Sequence, residues 1–259
     1  MSALETLPPR VREQLAVYRQ VRDLQFRVIQ AGDPVSADRL LEAAGVTYEI
    51  AAQDLCSVPR TGPLLVTANR FGAIECLLLA AVLPRVRPDS KILAPTFVAS
   101  IPQLRARFIA VDPWRTESSA LRNRAALNQA VTWLKLGGAL AVFPADDRDT
   151  MDGGNSSQVR TRKGWSTALP RLVRITGAAT VPVFIEWCET VQGAGLLQPA
   201  QSRVEMRIGS PASSMTPPAI PTLQEAATYL RWRTDSLGCR REVIIRLVPR
   251  RQAANPAST

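Results

Sequence analysis

The sequence contains no histidine among its 259 residues. Catalytic sites that pair histidine with serine or cysteine, and metal sites that use imidazole ligands, are therefore excluded. Cysteine is also scarce: the four cysteines, at positions 56, 76, 188 and 239, have no C-x-x-C spacing. We therefore expect neither a disulfide framework nor a zinc site, and we expect thiols that stay reduced in a cytosolic environment.

Long apolar runs are absent as well. The longest one, residues 76–83, is too short to span a bilayer. The first residues lack a basic region followed by an apolar core, so we expect no signal peptide. These features predict a protein that is either soluble or peripheral to a membrane, and we expect it to be cytoplasmic and peripheral on the inner face of the membrane.

Positive charge is in excess, with 32 Lys and Arg against 22 Asp and Glu, a net charge of +10. Such a balance favours anionic lipid surfaces, phosphorylated substrates or nucleic acid, or it is simply a basic surface. Several arginines lie near the C-terminus, but Trp232 is the one aromatic residue among them. Binding of single-stranded nucleic acid favours aromatic residues interleaved with such charges, so a nucleic-acid binder is only a third and distant alternative.

Apolar runs of strand length alternate with helical patterns along the chain, which predicts an α/β fold with a mostly parallel sheet flanked by helices. We divide the chain into an N-terminal helical extension (residues 1–45), an α/β domain (46–248) and a disordered basic tail (249–259). The predicted strands are 46–50, 64–67, 91–94, 107–111, 139–143, 180–186, 203–208 and 242–247. The predicted helices after residue 30 are 35–44, a short helix near 97–104, and 73–83, 118–136, 165–175 and 223–237, with Leu127, Val131 and Leu134 on one face of 118–136.

The N-terminal extension has two interpretations. Its apolar residues recur at helical spacing and comprise Leu15, Tyr18, Val21, Leu24 and Val28. Arg12, Arg19 and Arg22 accompany them, as in a helix that lies at a membrane interface. Alternatively, the helix packs on the core and its arginines are solvated.

A strand-to-helix turn in residues 62–75 carries two charged residues. The strand ends before Asn69 and Gly72, and Arg70 and Glu75 lie at the turn, a common place for chemistry in α/β folds. This stretch resembles the first block of the glycerolipid acyltransferases of the lysophosphatidate type, which reads Asn-His-x-x-x-x-Asp after a Gly-Pro strand. Arg70 stands where that family has histidine, and Glu75 stands where it has aspartate.

Further blocks follow in the family's order, at residues 108–114, 123–127, 137–144 and 181–185. They resemble in particular a bacterial branch of haemolysin-related proteins and amino-acid lipid acyltransferases. The family's third block reads Phe-Pro-Glu-Gly-x-Arg. Here Phe143, Pro144 and Arg148 are retained, whereas Ala145 and Asp146 replace Glu and Gly.

The resemblance implies a glycerolipid acyltransferase-like fold. It also implies transfer of an acyl chain from acyl-carrier protein or acyl-CoA to a lipid or amino-acid-derived acceptor at an anionic membrane surface, with no cofactor. The family histidine takes a proton from the acceptor, and the aspartate orients that histidine. Arg148, with Phe143, Pro144 and Asp146, is implied as the acceptor-binding group. The alternative is that Arg148 is a loop arginine paired with Asp146 or Asp149.

Arg70 cannot replace the histidine as a general base, because a guanidinium stays protonated at all usable pH values. Either Arg70 and Glu75 form an ion pair that closes a former active site, or Arg70 binds a phosphate or the thioester donor. The resemblance therefore implies a divergent but active acyltransferase with Glu75 as the first candidate base, or a descendant that lost its base. The alternative from another class is an inactive lipid- or protein-binding subunit, for example beside an active acyltransferase.

Two neighbouring features have simpler explanations than catalysis. Cys76 lies in an apolar stretch, and we expect a small buried hydrophobic residue there. Aspartates at 146–152 could bind a hard cation, but they lack the calcium-loop pattern, so we predict a solvated loop and no metal.

Overall fold

The computed structural model describes residues 9–69, 72–112, 117–143, 168–189, 202–212, 230 and 233–237. Its helices are α1 (Pro9–Gln30), α2 (Ala37–Ala43), α3 (Ala52–Ser57), α4 (Ala73–Val82), α5 (Thr96–Ala99), α6 (Glu117–Lys135) and α7 (Ala168–Thr176). Its strands are β1 (Val46–Ile50), β2 (Leu64–Ala68), β3 (Lys91–Pro95), β4 (Phe108–Val111), β5 (Ala139–Val142), β6 (Ala179–Glu189) and β7 (Ser202–Ile208). Short 3-10 helices cover Leu83–Arg85 and Pro102–Arg107.

The described strands form one sheet in the order β1-β7-β6-β2-β5-β3-β4. β2 pairs in parallel with both β5 and β6, and β3 pairs in parallel with β5 and β4. β7 runs antiparallel to β6, and β1 runs parallel to β7. The prediction of a mostly parallel sheet flanked by helices is therefore confirmed.

Helices cover both faces of this sheet. The main core joins α1, α2 and α4 to one face, with Leu24, Leu40 and Leu78 almost fully buried. The smaller core lies on the other face, where α6 and α7 pack on Leu65 and Leu140. A strand covered on both faces is mostly apolar, and all five residues of β2 are buried, with Thr67 as its one polar residue.

Three sequence predictions differ from the structure. In α6 the residues that face the sheet are Ala126, Ala130 and Leu134, while Leu127 is 42% exposed, because small side chains let the helix approach the sheet closely. Tyr18 of α1 is exposed rather than part of the apolar stripe. Helix α3 was not predicted: its side chains include no buried residue, so it lacks an apolar periodicity.

Other predictions lie outside the described residues: the strand at 242–247, the loop at 145–163 and the tail at 249–259. The division into an extension, a domain and a tail stays a prediction, although both α1 and α2 contribute to the main core. Within the described ranges, no helix has the length and apolar character needed to cross a membrane.

A buried arginine ties the amino ends of β2 and β5 together. The Arg87 side chain is 1% exposed, and it donates to both carboxylate oxygens of Asp89 at 2.8 and 2.7 Å. It also donates to the carbonyl oxygens of Pro59, Gly62 and Gly137 at 3.0, 2.9 and 2.9 Å. The guanidinium of Arg87 therefore makes its hydrogen bonds at the amino edge of the sheet, opposite the edge at which the turn after β2 lies.

Candidate functional site

The candidate site lies where β2 ends and α4 begins, at the carboxyl edge of the parallel strands. Asn69 follows β2, Gly72 is the N-cap of α4, and the helix begins at Ala73. β2 has β5 on one side and β6 on the other. The carboxyl ends of parallel strands meet at one edge, where α/β proteins commonly bind their ligands.

Asn69 fixes the start of this turn against β6. Its side-chain amide donates to the Ile185 carbonyl oxygen at 3.1 Å, and its carbonyl oxygen accepts from the Ile185 N–H at 2.7 Å. The side chain thereby continues the pairing of β2 with β6 by one more step. The position at which the chain leaves the sheet is set by these two bonds.

Glu75 is the one predicted catalytic residue that the structure describes. It is 6% exposed and occupies the third position of α4, where a glutamate side chain can fold back over the N-cap residue. A Cβ atom on Gly72 would lie 2.3 Å from Glu75 Oε2, so the carboxylate occupies the space that this glycine leaves. The positive end of the helix dipole also favours an anion at this position.

Trp187 holds the other oxygen of the same carboxylate. Its indole Nε1 donates to Glu75 Oε1 at 3.0 Å, across 112 residues of sequence. Sequence reasoning missed Trp187, because no local pattern shows which residue of β6 lies opposite the start of α4. The nearest signal is the position of Trp187 two residues after the apolar run 181–185 in the middle of β6.

Cys76, next to Glu75, is fully buried, as expected. Burial raises the pKa of its thiol well above the ordinary value, and the negative charge of Glu75 raises it further. A thiol that stays protonated and inaccessible does not act as a nucleophile. Cys76 therefore belongs to the core.

The neighbouring strand β5 brings the third sequence block to the same edge. Phe143 follows β5 directly, is partly buried and packs against the main core. Arg70 lies outside the described residues, and so do Pro144, Asp146 and Arg148. Their expected roles stay predictions, as does the proposed ion pair of Arg70 with Glu75.

No candidate metal site is found among the residues that the structure describes. The described ranges contain no group of three or more acidic or cysteine residues that could hold a metal ion. The aspartates at 146–152 fall outside those ranges, so the predicted solvated loop stays a prediction.

Comparison with known proteins gives a fold likeness only. No protein-family model matches the chain, and no curated protein matches it. Among solved structures, it is similar to the 1-acyl-sn-glycerophosphate (LPA) acyltransferase PlsC from Thermotoga maritima, with 16% identity and a TM-score of 0.48. The match covers 90% of this chain and 83% of that one. A likeness of this size does not assign an activity.

Proposed function

We propose that this chain is an acyltransferase-type protein. In this proposal it receives an acyl chain from an acyl-carrier or coenzyme A thioester and passes it to a lipid or amino-acid-derived acceptor at a membrane surface. One observation carries the proposal: three sequence blocks that are distant along the chain form adjacent strands. Thr67, near the carboxyl end of β2, pairs with Val142 of β5 and with Pro182 of β6, so β5 and β6 flank the end of β2.

The arrangement supports a single site to which each block contributes at the carboxyl edge. β2 leads into the turn that contains Arg70 and Glu75, and β5 leads through Phe143 towards Arg148. In this proposal Arg148 binds an anionic group of the acceptor, for which the fork of guanidinium donors is well suited. Glu75 is the carboxylate that orients the acceptor hydroxyl or amine.

The outer surface of α1 supports a membrane location. Phe26 and Ile29, three residues apart, are 60% and 56% exposed, and Tyr18 lies on the same side of the helix, eight residues before Phe26 and eleven before Ile29. Arg19, Arg22 and Arg27 are exposed on the same helix and would meet anionic headgroups. Val21, Leu24 and Val28 pack on the core, as the second interpretation of this helix expects. The apolar and basic outer side is what supports the membrane interpretation in this proposal.

The orientation of α1 favours a membrane near the candidate site. α1 contacts α5, which begins immediately after β3 at the carboxyl edge of the sheet. β3 is parallel to β5 and hence to β2, so α1 passes close to the edge at which the turn lies. A lipid acceptor held by α1 at the surface would reach the site over a short distance.

A second candidate is an inactive subunit that binds the lipid or the acyl donor without turnover. The whole chain has no histidine, and Glu75, the remaining candidate base, is buried and accepts a hydrogen bond from Trp187. A positioned general base contributes a factor of roughly 10²–10⁴ in rate. Turnover without histidine is therefore expected to be slow or absent, and the site then serves for binding.

The deciding experiment incubates the protein with acyl-carrier and acyl-CoA donors and a panel of lipid acceptors, with products read by mass spectrometry. If the unmodified protein shows only background turnover and Arg70→His shows turnover above background, the site is an acyltransferase site that has lost its base. The reason is that an imidazole titrates near neutral pH and would lie beside Glu75. Normal turnover that Arg70→Ala abolishes without unfolding makes this an active enzyme. Glu75→Gln then tests whether Glu75 is the base.

Measurement of lysophospholipid binding distinguishes the inactive-subunit candidate from a protein with no acyltransferase-type site. Arg148→Ala should weaken binding of a lysophospholipid by about 1.5–3 kcal/mol, the size of a charge-assisted hydrogen bond. Arg171→Ala is the matched control, since Arg171 is exposed on α7 on the other face of the sheet. Equal affinities in both variants, or no binding by the unmodified protein, would contradict the proposed function.

A further inference from the structure

β6 continues beyond the end of β2 and reaches the candidate site. The pairing of β2 with β6 ends at Ala68 and Val183, whereas β6 runs on to Glu189. Residues 184–189 therefore project past β2 along the turn. We propose that this projection is a positioning element and that Trp187 is the positioning residue that holds Glu75 in its working orientation; the inference rests on the proposed function.

The projection contacts the turn at both of its ends. Asn69 pairs with the Ile185 backbone where β2 stops, and Glu75 accepts from Trp187 where α4 starts. Side chains two residues apart in a strand point to the same face, so Ile185 and Trp187 both face the side of the sheet on which α4 lies. The Asn69 bonds thus set the register that brings the indole to the carboxylate.

The carboxylate of Glu75 is confined from both sides. Oε1 accepts from the Trp187 indole, and Oε2 lies over Gly72, within 2.3 Å of the place where a Cβ atom would be. The indole is a rigid donor with only two side-chain torsions, so it fixes the direction of the bond. The register between β6 and β7 shifts between Trp187 and Glu189, and such irregularities re-aim side chains next to functional sites.

A purely structural indole bond exists elsewhere in the chain and provides the control. Trp133 Nε1 donates to the carbonyl oxygens of Asp89 and Ala139, each at 3.1 Å. That contact lies at the amino edge of β5, away from the turn. Trp187 differs because its acceptor is a side chain that the proposed function uses, and not a backbone carbonyl.

The test is a double-mutant cycle between Trp187→Phe and Glu75→Met, which removes the carboxylate acceptor, with palmitoyl coenzyme A and a lysophospholipid as probes. Each single variant should weaken binding of one probe by about tenfold, the effect of losing a hydrogen bond to a charged group. The double variant should bind as tightly as the single variant with the lower affinity, because the two substitutions remove the same interaction. Trp133→Phe should lower the urea midpoint and leave both dissociation constants unchanged. Additive losses in the double variant, or unchanged binding in Trp187→Phe, would overturn the proposal.

Two further measurements cover the cases in which Trp187→Phe does not fold or the proposed function fails. If Trp187→Phe does not fold, Gly72→Ala displaces the same carboxylate from the other side and should weaken the same probe by a similar factor. If the unmodified protein binds neither probe, the proposed function fails, and amide exchange decides the positioning role. Exchange in the first turn of α4 should accelerate about tenfold in Trp187→Phe and not in Trp133→Phe. Equal exchange in both variants would refute the positioning role.

Discussion

Replacing Arg87 with methionine should destabilise this protein more than any change to an exposed arginine. Arg87 is 1% exposed and joins three backbone carbonyls to Asp89. Methionine fills the space of the aliphatic stem but leaves those carbonyl oxygens without their charged donor. Leaving a buried polar group without its hydrogen-bond partner costs about 1–3 kcal/mol for each group. Asp89 is 38% exposed and can rehydrate, so most of the loss comes from the carbonyl oxygens.

The measurement is urea unfolding followed by circular dichroism, with Arg122→Met as the control. Arg122 is 57% exposed and pairs with Asp112. We expect the control to lose at most about 1 kcal/mol, as exposed ion pairs do. The slope of the unfolding free energy against urea should stay constant in both variants, so that the midpoints compare stability. A loss below about 1 kcal/mol for Arg87→Met would refute the view that this guanidinium holds β2 and β5 together.

Three further predictions concern pH, the membrane and the thiols. The hydrogen bond from Arg87 lowers the pKa of Asp89 below its ordinary 3.8, so the stabilisation from this pair is complete above pH 3.8 and is lost as the pH falls through the lowered pKa. The stability difference between the unmodified protein and Arg87→Met should therefore shrink below about pH 4 in acid unfolding. A difference that grows there would contradict the assignment. Anionic vesicles should sediment the protein, less so at high salt, and Phe26→Ser should weaken this by up to about 1.5–3 kcal/mol; equal recovery with neutral vesicles, or none with either, would remove the membrane role of α1. A maleimide should label the exposed Cys56 and Cys188 in the folded protein but Cys76 only in urea. Cys188 should react more slowly than Cys56, because partial burial and the charge of Glu205 raise the pKa of Cys188. If peptide mapping by mass spectrometry finds Cys76 labelled first, the core around α4 is open to solvent.

Local features of the chain were predictable because they depend on neighbours in sequence. The strand at 64–67 and the helix at 73–83 agree with β2 and α4 within one residue, since an apolar run is bounded there by Asn69 and Gly72. The buried state of Cys76 followed from its apolar surroundings. Faces of helices were harder: α6 buries Ala126 and Ala130 rather than Leu127, and the sheet's shape makes that choice.

The sequence by itself determined which residue types are available for chemistry and that strands alternate with helices. The absence of histidine needs no structure, and it leaves a general base to other residue types, with Glu75 as the first candidate. Periodicity and breakers act over a few residues, so they are readable in order along the chain. The fold class follows from their alternation.

Only the tertiary structure decided which strands are neighbours and which side chains meet. β2 lies between β5 and β6, and that order brings blocks from three parts of the chain to one edge. Asn69 reaches Ile185 across 116 residues, and Trp187 reaches Glu75 across 112. These contacts depend on strand order and register, which are set by packing of the whole sheet and its covering helices. A one-residue change of register in β6 would turn Trp187 to the other face and leave Glu75 without its indole donor.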